Sequence, residues 1–285
     1  MDVLKFKTSV EDLRPTVDEI ANHEKMNLWH EGNVPFNIAD AQNFATITPY
    51  IVEGSEKSVI IFPGGGYFQL SVIGEGKDIA QAYNEKGISA FVATYRYQPY
   101  NCNAILADGQ RAVQFVRYFA KDFGIDPEKI AVLGFSAGGH LATMVCQHRP
   151  EENLAGDEIF EISSVPNAVL LGYAVTTLGD GTFRTMPGIF LGKENETNSS
   201  LITKYSYEYN ISEMPPAFIF YSDLDKTVNP QKNSVAFADA LKEAGKTVEI
   251  HGYSDGKHGI GLGKDFENFS TWHSDSVTFI NNILK

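Results

Sequence analysis

From residue 58 onward, short runs of apolar, β-branched and aromatic residues alternate with stretches whose apolar positions recur at helical spacing. The runs are SVIIF (58–62), ISAFVATY (88–95), IAVLGF (130–135), NAVLLGY (167–173), AFIFYS (217–222) and TVEIHGY (247–253). Runs so continuously apolar read as strands covered on both faces. Their alternation with helical segments reads as βα units around a mostly parallel central sheet flanked by helices, an α/β class.

Between the strands, AILADGQRAVQFVRYFAKDFG (104–124) sets Ile105, Ala112, Val113, Phe115, Val116, Phe119 and Ala120 largely on one helical face and stops at Gly124. Residues 230–245 and 265–284 read as helices in the same way, the last starting after Gly263 and carrying Phe266, Phe269, Trp272, Val277, Phe279 and Ile283. Residues 1–57 are less periodic, with strands expected near 34–38 and 46–52 as an antiparallel edge of the same sheet. Residues 174–214 are turn-rich and lie between two strands, so they are expected as a small insertion covering one end of the sheet. No linker, repeat or low-complexity tract divides the chain, and 1–285 reads as one domain.

Composition narrows the function classes. With 43% hydrophobic and 21% charged residues the chain is an ordinary globular one, and long disordered segments are not expected. Its 23 basic and 36 acidic residues leave a formal net charge of −13, which repels phosphate backbones and argues against nucleic acid as a partner. The longest apolar runs, such as AVLLGYAV (168–175), are far shorter than the roughly 20 residues that span a bilayer, so no membrane partner is expected. The N-terminal MDVLKFKTSVEDLRP is too charged for a signal peptide, which predicts a cytoplasmic protein. Cys102 and Cys146 stand outside any CxxC spacing and suggest neither a disulfide framework nor a zinc site.

One motif changes the picture. GFSAG (134–138) fits G-x-S-x-G and stands directly after the strand IAVLGF and before the helical AGGHLATMVCQH. A tight strand-to-helix turn there forces Ser136 into strained backbone angles, requires Gly134 and Gly138 to be small, and lifts Oγ out of the sheet towards a helix N-terminus. A serine nucleophile needs donors for an oxyanion. FPGGGYF (62–68) follows the first strong parallel strand, and the amides of Gly65, Gly66 and Ala137 are the candidates. A plain glycine turn is the competing reading of PGGGY taken alone.

The serine also needs a base, and seven histidines compete. His258 lies in the glycine-rich SDGKHGIGLG after the last strand, at the carboxyl edge where α/β sites collect. His251 sits within that strand, His140 and His148 ride the helix after Ser136, His23 and His30 precede the sheet, and His273 belongs to the final helix. An acid to orient the base is offered by AFIFYSDLDKTVNP. Asp225 stands beyond the strand end and before a turn, whereas Asp223 is better placed to brace the loop. Tyr67, Phe68 and Phe183 are candidates for the substrate pocket, although aromatic residues at a sheet end equally serve the core. HExxH, EF-hand and phosphate-loop patterns are missing, so neither a metal nor a cofactor is expected.

The order Ser136, Asp225, His258, with PGGGY, GFSAGGHLA, SDLDKTVNP, KHG, YRYQP (95–99), DGQRAVQFVR (108–117) and GIDPEKIAVLGFSAGG (124–139), resembles the esterase/lipase branch of the α/β-hydrolase superfamily over roughly residues 45–285. Pro63 stands where lipase-like members carry the histidine of HGGG, and in this the chain is similar to the acetylxylan-esterase-like group. The resemblance implies a serine carboxylic-ester hydrolase acting on short acyl groups, acetyl esters of xylo-oligosaccharides in particular, through an acyl-enzyme. The implied partner is a small-molecule ester, an acetylated oligosaccharide included, and homo-oligomer formation stays open. Amidase or arylformamidase-like action, peptidase action, and a non-catalytic binding role remain as alternatives on the same fold.

Overall fold

The apolar runs pair into one eight-stranded sheet. A computed structural model describes residues 9–285 apart from 32, 39, 40, 42, 43, 151, 184 and 210. The strands are β1 (Met26–Asn27), β2 (Thr46–Tyr50), β3 (Ser58–Phe62), β4 (Ser89–Thr94), β5 (Ile130–Phe135), β6 (Ala168–Gly172), β7 (Ala217–Ser222) and β8 (Val248–Tyr253), in the spatial order β1-β2-β4-β3-β5-β6-β7-β8. The β1–β2 and β2–β4 pairings are antiparallel and the other five are parallel. This is the strand order of the α/β-hydrolase fold.

The α-helices are α1 (Val17–Ala21), α2 (Asp78–Asn84), α3 (Cys102–Tyr118), α4 (Ala120–Phe123), α5 (Ala137–Gln147), α6 (Met186–Leu191), α7 (Ser199–Lys204), α8 (Ala236–Glu243) and α9 (Trp272–Ile283). The strand period of two sorts the core into two layers. Ile60 and Phe62 of β3 and Val132 of β5 pack with Val113 and Val116 of α3, Leu141 of α5 and Phe237 of α8. Val59, Ile61 and Leu133 point the other way, onto Ile79 and Tyr83 of α2 and Trp272 and Phe279 of α9. Burial on both faces is why β3 and β5 are almost wholly apolar, whereas β8, expected to be covered likewise, lies at the sheet edge and leaves Glu249 and Gly252 exposed.

Several boundaries differ from the sequence expectation. Residues 34–38 form a turn instead of a strand, with Phe36 at φ 55°, a left-handed angle that pleated backbone does not accommodate. The short β1 takes the edge position. The helix expected over 104–124 breaks at Phe119 into α3 and α4, and Gly124 then ends it at φ 70°. The final helix begins at Trp272, later than expected, because both Asp255 carboxylate oxygens accept loop amides: Oδ2 that of Asn268 at 2.9 Å and Oδ1 that of Phe269 at 2.7 Å.

Two sequence pieces prominent in the resemblance meet in a buried ion pair. Arg96, just past β4, and Asp108 of α3 are fully buried, and the guanidinium is bidentate: Nε to Oδ2 and Nη2 to Oδ1, both at 2.7 Å. Trp29 Nε1 donates to the same carboxylate at 2.7 Å, which joins the N-terminal segment to α3. Among the described residues, no helix is long and apolar enough to cross a membrane.

Candidate active site

β5 ends at Phe135 and α5 starts at Ala137, so a single residue makes the turn. Ser136 adopts φ 51° and ψ −118°, a conformation that side-chain-bearing residues rarely take. The turn is anchored on both sides: Ser136 N–H donates to the Gly172 carbonyl, and its own carbonyl accepts from Val175 N–H, each at 3.0 Å. The glycines answer to close approach. A Cβ on Gly134 would lie 2.3 Å from the Gly138 carbonyl oxygen, and one on Gly138 would lie 2.1 Å from that of Phe62. Only glycine lets α5 start this close to β3 and β5.

Three loops at the carboxyl ends of the strands meet above Ser136. His258, in the loop after β8, brings Nε2 to 2.8 Å from Ser136 Oγ and Nδ1 to 2.7 Å from Asp225 Oδ2. Asp225 lies in the loop after β7, and its Oδ1 accepts the amides of Thr227 at 2.8 Å and Val228 at 3.0 Å. With its other oxygen so occupied, the carboxylate accepts the Nδ1–H hydrogen bond through Oδ2. That leaves the Nε2 lone pair facing the serine hydroxyl. The histidine side chain is 17% exposed and that of the aspartate 1%, so the imidazole reaches solvent while its partner is sealed. Asp223 lies exposed two residues away, its N–H bonded to the Tyr253 carbonyl at 2.8 Å.

Beside Oγ is a cleft of about 400 Å³ whose lining includes Gly65, Gly66, Phe68, Phe183, Thr227 and Gly259. Gly65 and Gly66 have φ of 137° and 64°. Among the described residues, neither their amides nor that of Ala137 meet an intramolecular acceptor. Gly65 and Gly66 line the cleft, and Ala137 directly follows Ser136 at the start of α5. Phe68, half exposed, and Phe183 form the aromatic walls.

One expected pocket residue lies elsewhere. Tyr67 is fully buried and does not line the cleft. Its φ of 63° turns the ring beneath the glycine loop, where it stacks on Phe190 and its hydroxyl lies 2.9 Å from His140 Nδ1. His140 Nε2 donates to the Tyr205 carbonyl at 2.8 Å, so Nδ1 accepts the Tyr67 hydroxyl proton. Burial pushes this imidazole down to about 4. It is a neutral brace between the glycine loop and the segment after α7. None of the six other histidines lines the cleft.

Residues with no sequence signal complete the site. Thr227 stands on the aspartate loop, and Glu75 reaches the cleft from a wide helical turn, Ile73–Lys77, before α2. A lone glutamate between glycines has neither the periodicity nor the motif spacing that could have singled it out. Burial raises its carboxyl, and the Tyr173 hydroxyl, the Gly64 amide and His258 hold it back.

Known proteins share this arrangement of chain. The BD-FAE family matches residues 47–241, well over half of the sequence. The chain is similar to an acetylxylan esterase of Xylanibacter ruminicola, 30% identical over 234 residues that make up 81% of this chain and 46% of that protein. It is also similar to endo-1,4-beta-xylanase B of Butyrivibrio fibrisolvens, 31% identical over 260 residues, 86% of this chain and 39% of that protein. It thus spans less than half the length of these two relatives. Among solved structures it superposes on an acetyl ester-xyloside bifunctional hydrolase from Caldicellulosiruptor lactoaceticus with a TM-score of 0.83 and 32% identity, covering 92% of this chain and 96% of that one. A butyrate-bound esterase from Thermogutta terrifontis, 24% identical with a TM-score of 0.73 over 93% of this chain and 95% of that one, shares the fold.

Proposed function

The chain belongs to the BD-FAE family and has the α/β-hydrolase fold, and from that premise we propose that it is a serine carboxylic-ester hydrolase for short acyl groups, with acetyl esters of xylo-oligosaccharides as its substrates. The observation that carries the reading is the continuous hydrogen-bonded path from Ser136 Oγ through His258 to Asp225, 2.8 Å and 2.7 Å long in its two links, beside three unengaged amides. The sugar side of the proposal is supported by relatives of 30% identity or more named as an acetylxylan esterase, an endo-1,4-beta-xylanase and an acetyl ester-xyloside hydrolase, and by the aromatic walls of the cleft, whose faces suit the C–H faces of a pyranose.

In this mechanism His258 Nε2 takes the Ser136 proton as Oγ attacks the ester carbonyl carbon. The imidazolium that forms stays paired to Asp225, which holds the tautomer and steadies the charge. The negative oxygen of the tetrahedral intermediate turns to the amides of Gly65, Gly66 and Ala137, and each such donor is worth about a hundredfold or more in rate. His258 then gives its proton to the departing sugar oxygen, leaving acyl-Ser136. Water enters, loses a proton to His258, and attacks the acyl carbon. Return of that proton to Oγ releases the acid. No metal or cofactor takes part in these steps.

The test is acetate release from acetylated xylo-oligosaccharides, run beside p-nitrophenyl esters of increasing acyl length, with Ser136→Ala as control. Sugar deacetylation that falls by at least about a thousandfold in the variant is expected. Unchanged turnover in the variant sinks the serine assignment, and cleavage of synthetic esters alone sinks the sugar assignment.

A further inference from the structure

Glu75 is a buried carboxyl, 3% exposed, that the proton path through Ser136, His258 and Asp225 does not use. Its two oxygens serve two different loops. Oε2 accepts the Gly64 amide at 2.8 Å, and Oε1 accepts the Tyr173 hydroxyl at 2.6 Å. The Tyr173 oxygen in turn accepts the amide of Gly261 at 3.1 Å, three residues beyond His258. The Tyr173 ring stands edge-on to the His258 imidazole with 5.0 Å between centroids. One side chain therefore ties the glycine turn that bears Gly65 and Gly66 to the loop that bears the base.

The surroundings are built closely around this link. Tyr173 follows β6 at φ 35°, a left-handed angle that a non-glycine residue holds only where its neighbours enforce it. A Cβ on Gly64 would meet Glu75 Oε2 at 2.8 Å and Ser136 Cβ at 2.9 Å, so the carboxyl and the serine both pack closely against the glycine turn. Taking a carboxyl out of water costs stability unless its partners are well placed. A glutamate kept there, rather than an apolar residue, points to a role in the site.

We propose that Glu75 is a positioning residue for ester hydrolysis, holding Gly64 directly and Gly261 through Tyr173 so that the Gly65 and Gly66 amides and the His258 imidazole keep one geometry around the carbon attacked by Ser136. The inference rests on the serine-hydrolase reading above. Its chemistry is specific to a carboxylate. In Glu75→Gln one oxygen still accepts the Gly64 amide, but the –NH2 faces Tyr173, whose hydroxyl proton then loses its acceptor. In Tyr173→Phe the ring stays and the link to Gly261 is cut.

The experiment uses a p-nitrophenyl phosphonate, which forms a Ser–P bond with release of p-nitrophenolate and so counts working sites, followed by kcat and KM for p-nitrophenyl acetate per counted site. Wild type, Glu75→Gln, Tyr173→Phe and the double variant are compared. Each single variant is expected to lose about 10- to 100-fold in kcat with KM within about twofold. The double variant is expected to fall little below the weaker single, since both cut one link. A merely structural role would instead lower the number of working sites or the melting temperature, with kcat per site unchanged, and that result overturns the proposal. Because Tyr173→Phe removes only a hydroxyl, it carries the test if Glu75→Gln does not fold. A wild type that the phosphonate does not label at Ser136 sinks the underlying serine reading and this inference with it, whereas normal labelling with unaltered variants sinks this inference alone.

Discussion

His258 Nδ1 lies 2.7 Å from Asp225 Oδ2, and the other oxygen of that aspartate accepts two backbone amides of its own loop. The amides fix the carboxylate, and the carboxylate fixes the tautomer of the imidazole. Asp225→Asn keeps the shape but removes the acceptor that selects the Nδ1–H form. We expect kcat for short esters to fall by about three to four orders of magnitude with melting temperature nearly unchanged. Asp223→Asn, two residues away and exposed, is expected to leave kcat as it is. Steady-state kinetics on both variants decide it, and the reverse pattern would transfer the role to Asp223.

Gly138→Ala tests the packing of the serine turn. The added Cβ would sit 2.1 Å from the Phe62 carbonyl oxygen, so α5 and β3 have to separate. Backbone on both sides leaves no flexible atom to yield, and a loss of about 3 kcal/mol or more is expected from the urea midpoint, together with loss of activity. Wild-type stability in this variant would show that the turn does not need glycine there.

Phe68 stands half exposed at the cleft while Tyr67 beside it is sealed below. Phe68→Ala is expected to raise KM for an acetylated xylo-oligosaccharide about three- to tenfold, as loss of one aromatic contact of about 1 kcal/mol implies, and to leave turnover of p-nitrophenyl acetate intact. Equal effects on both substrates would argue against a sugar platform.

Acid should weaken the fold through three histidines, His30, His140 and His273, which burial holds below their ordinary value. Burial holds His140 and His273 down at about 4 against an ordinary 6.5, the former partly offset by the Tyr205 carbonyl and the latter lowered further by Lys86. Between those values the unfolded chain takes up protons that the folded chain refuses. Stability is therefore complete above about pH 6.5 and declines as the pH falls towards about 4. Glu75 acts with the opposite sign: its raised carboxyl binds a proton more tightly when folded, a contribution present at low pH and lost as the pH rises through its folded value. With three histidines against one carboxyl, the urea midpoint is expected to fall from about pH 7 to about pH 5, less steeply in His273→Leu. A flat wild-type profile would refute this.

The Arg96 and Asp108 pair predicts a large stability effect remote from chemistry. Asp108→Asn leaves a fully buried guanidinium without its counter-charge, and a loss of about 3–5 kcal/mol is expected by chemical denaturation. Arg96→Met with Asp108→Leu together is expected to recover much of it, because the desolvation cost disappears with the charges.

Much of this site was legible along the chain because its signals are local. The G-x-S-x-G spacing works through a turn of a few residues, and the strand before it and helix after it are both visible as periodicity. His258 and Asp225 were reachable because loops after β8 and β7 open on the carboxyl edge of a parallel sheet. Arg96 and Asp108 lie in pieces that carry the resemblance, but their buried pairing has no local signal, since it depends on where two distant segments cross. The strand expected at 34–38 gives way to a turn with Phe36 at a left-handed angle, and the last helix starts late because the Asp255 carboxylate holds the Asn268 and Phe269 amides, neither of which propensity encodes.

By itself the sequence determined the α/β alternation, the two-sided burial of the inner strands though not of the edge strand β8, the place of the serine turn and the chain order of the residues around it, because these follow from periodicity and from backbone sterics within a few residues. Only the tertiary structure decided that Tyr67 turns inward onto His140 while Phe68 faces the cleft, and that Glu75 joins Gly64, 11 positions before it, to Tyr173, 98 positions after it. Side-chain direction at a left-handed residue and contact between far segments are set by packing across the sheet, and no spacing within one segment encodes them.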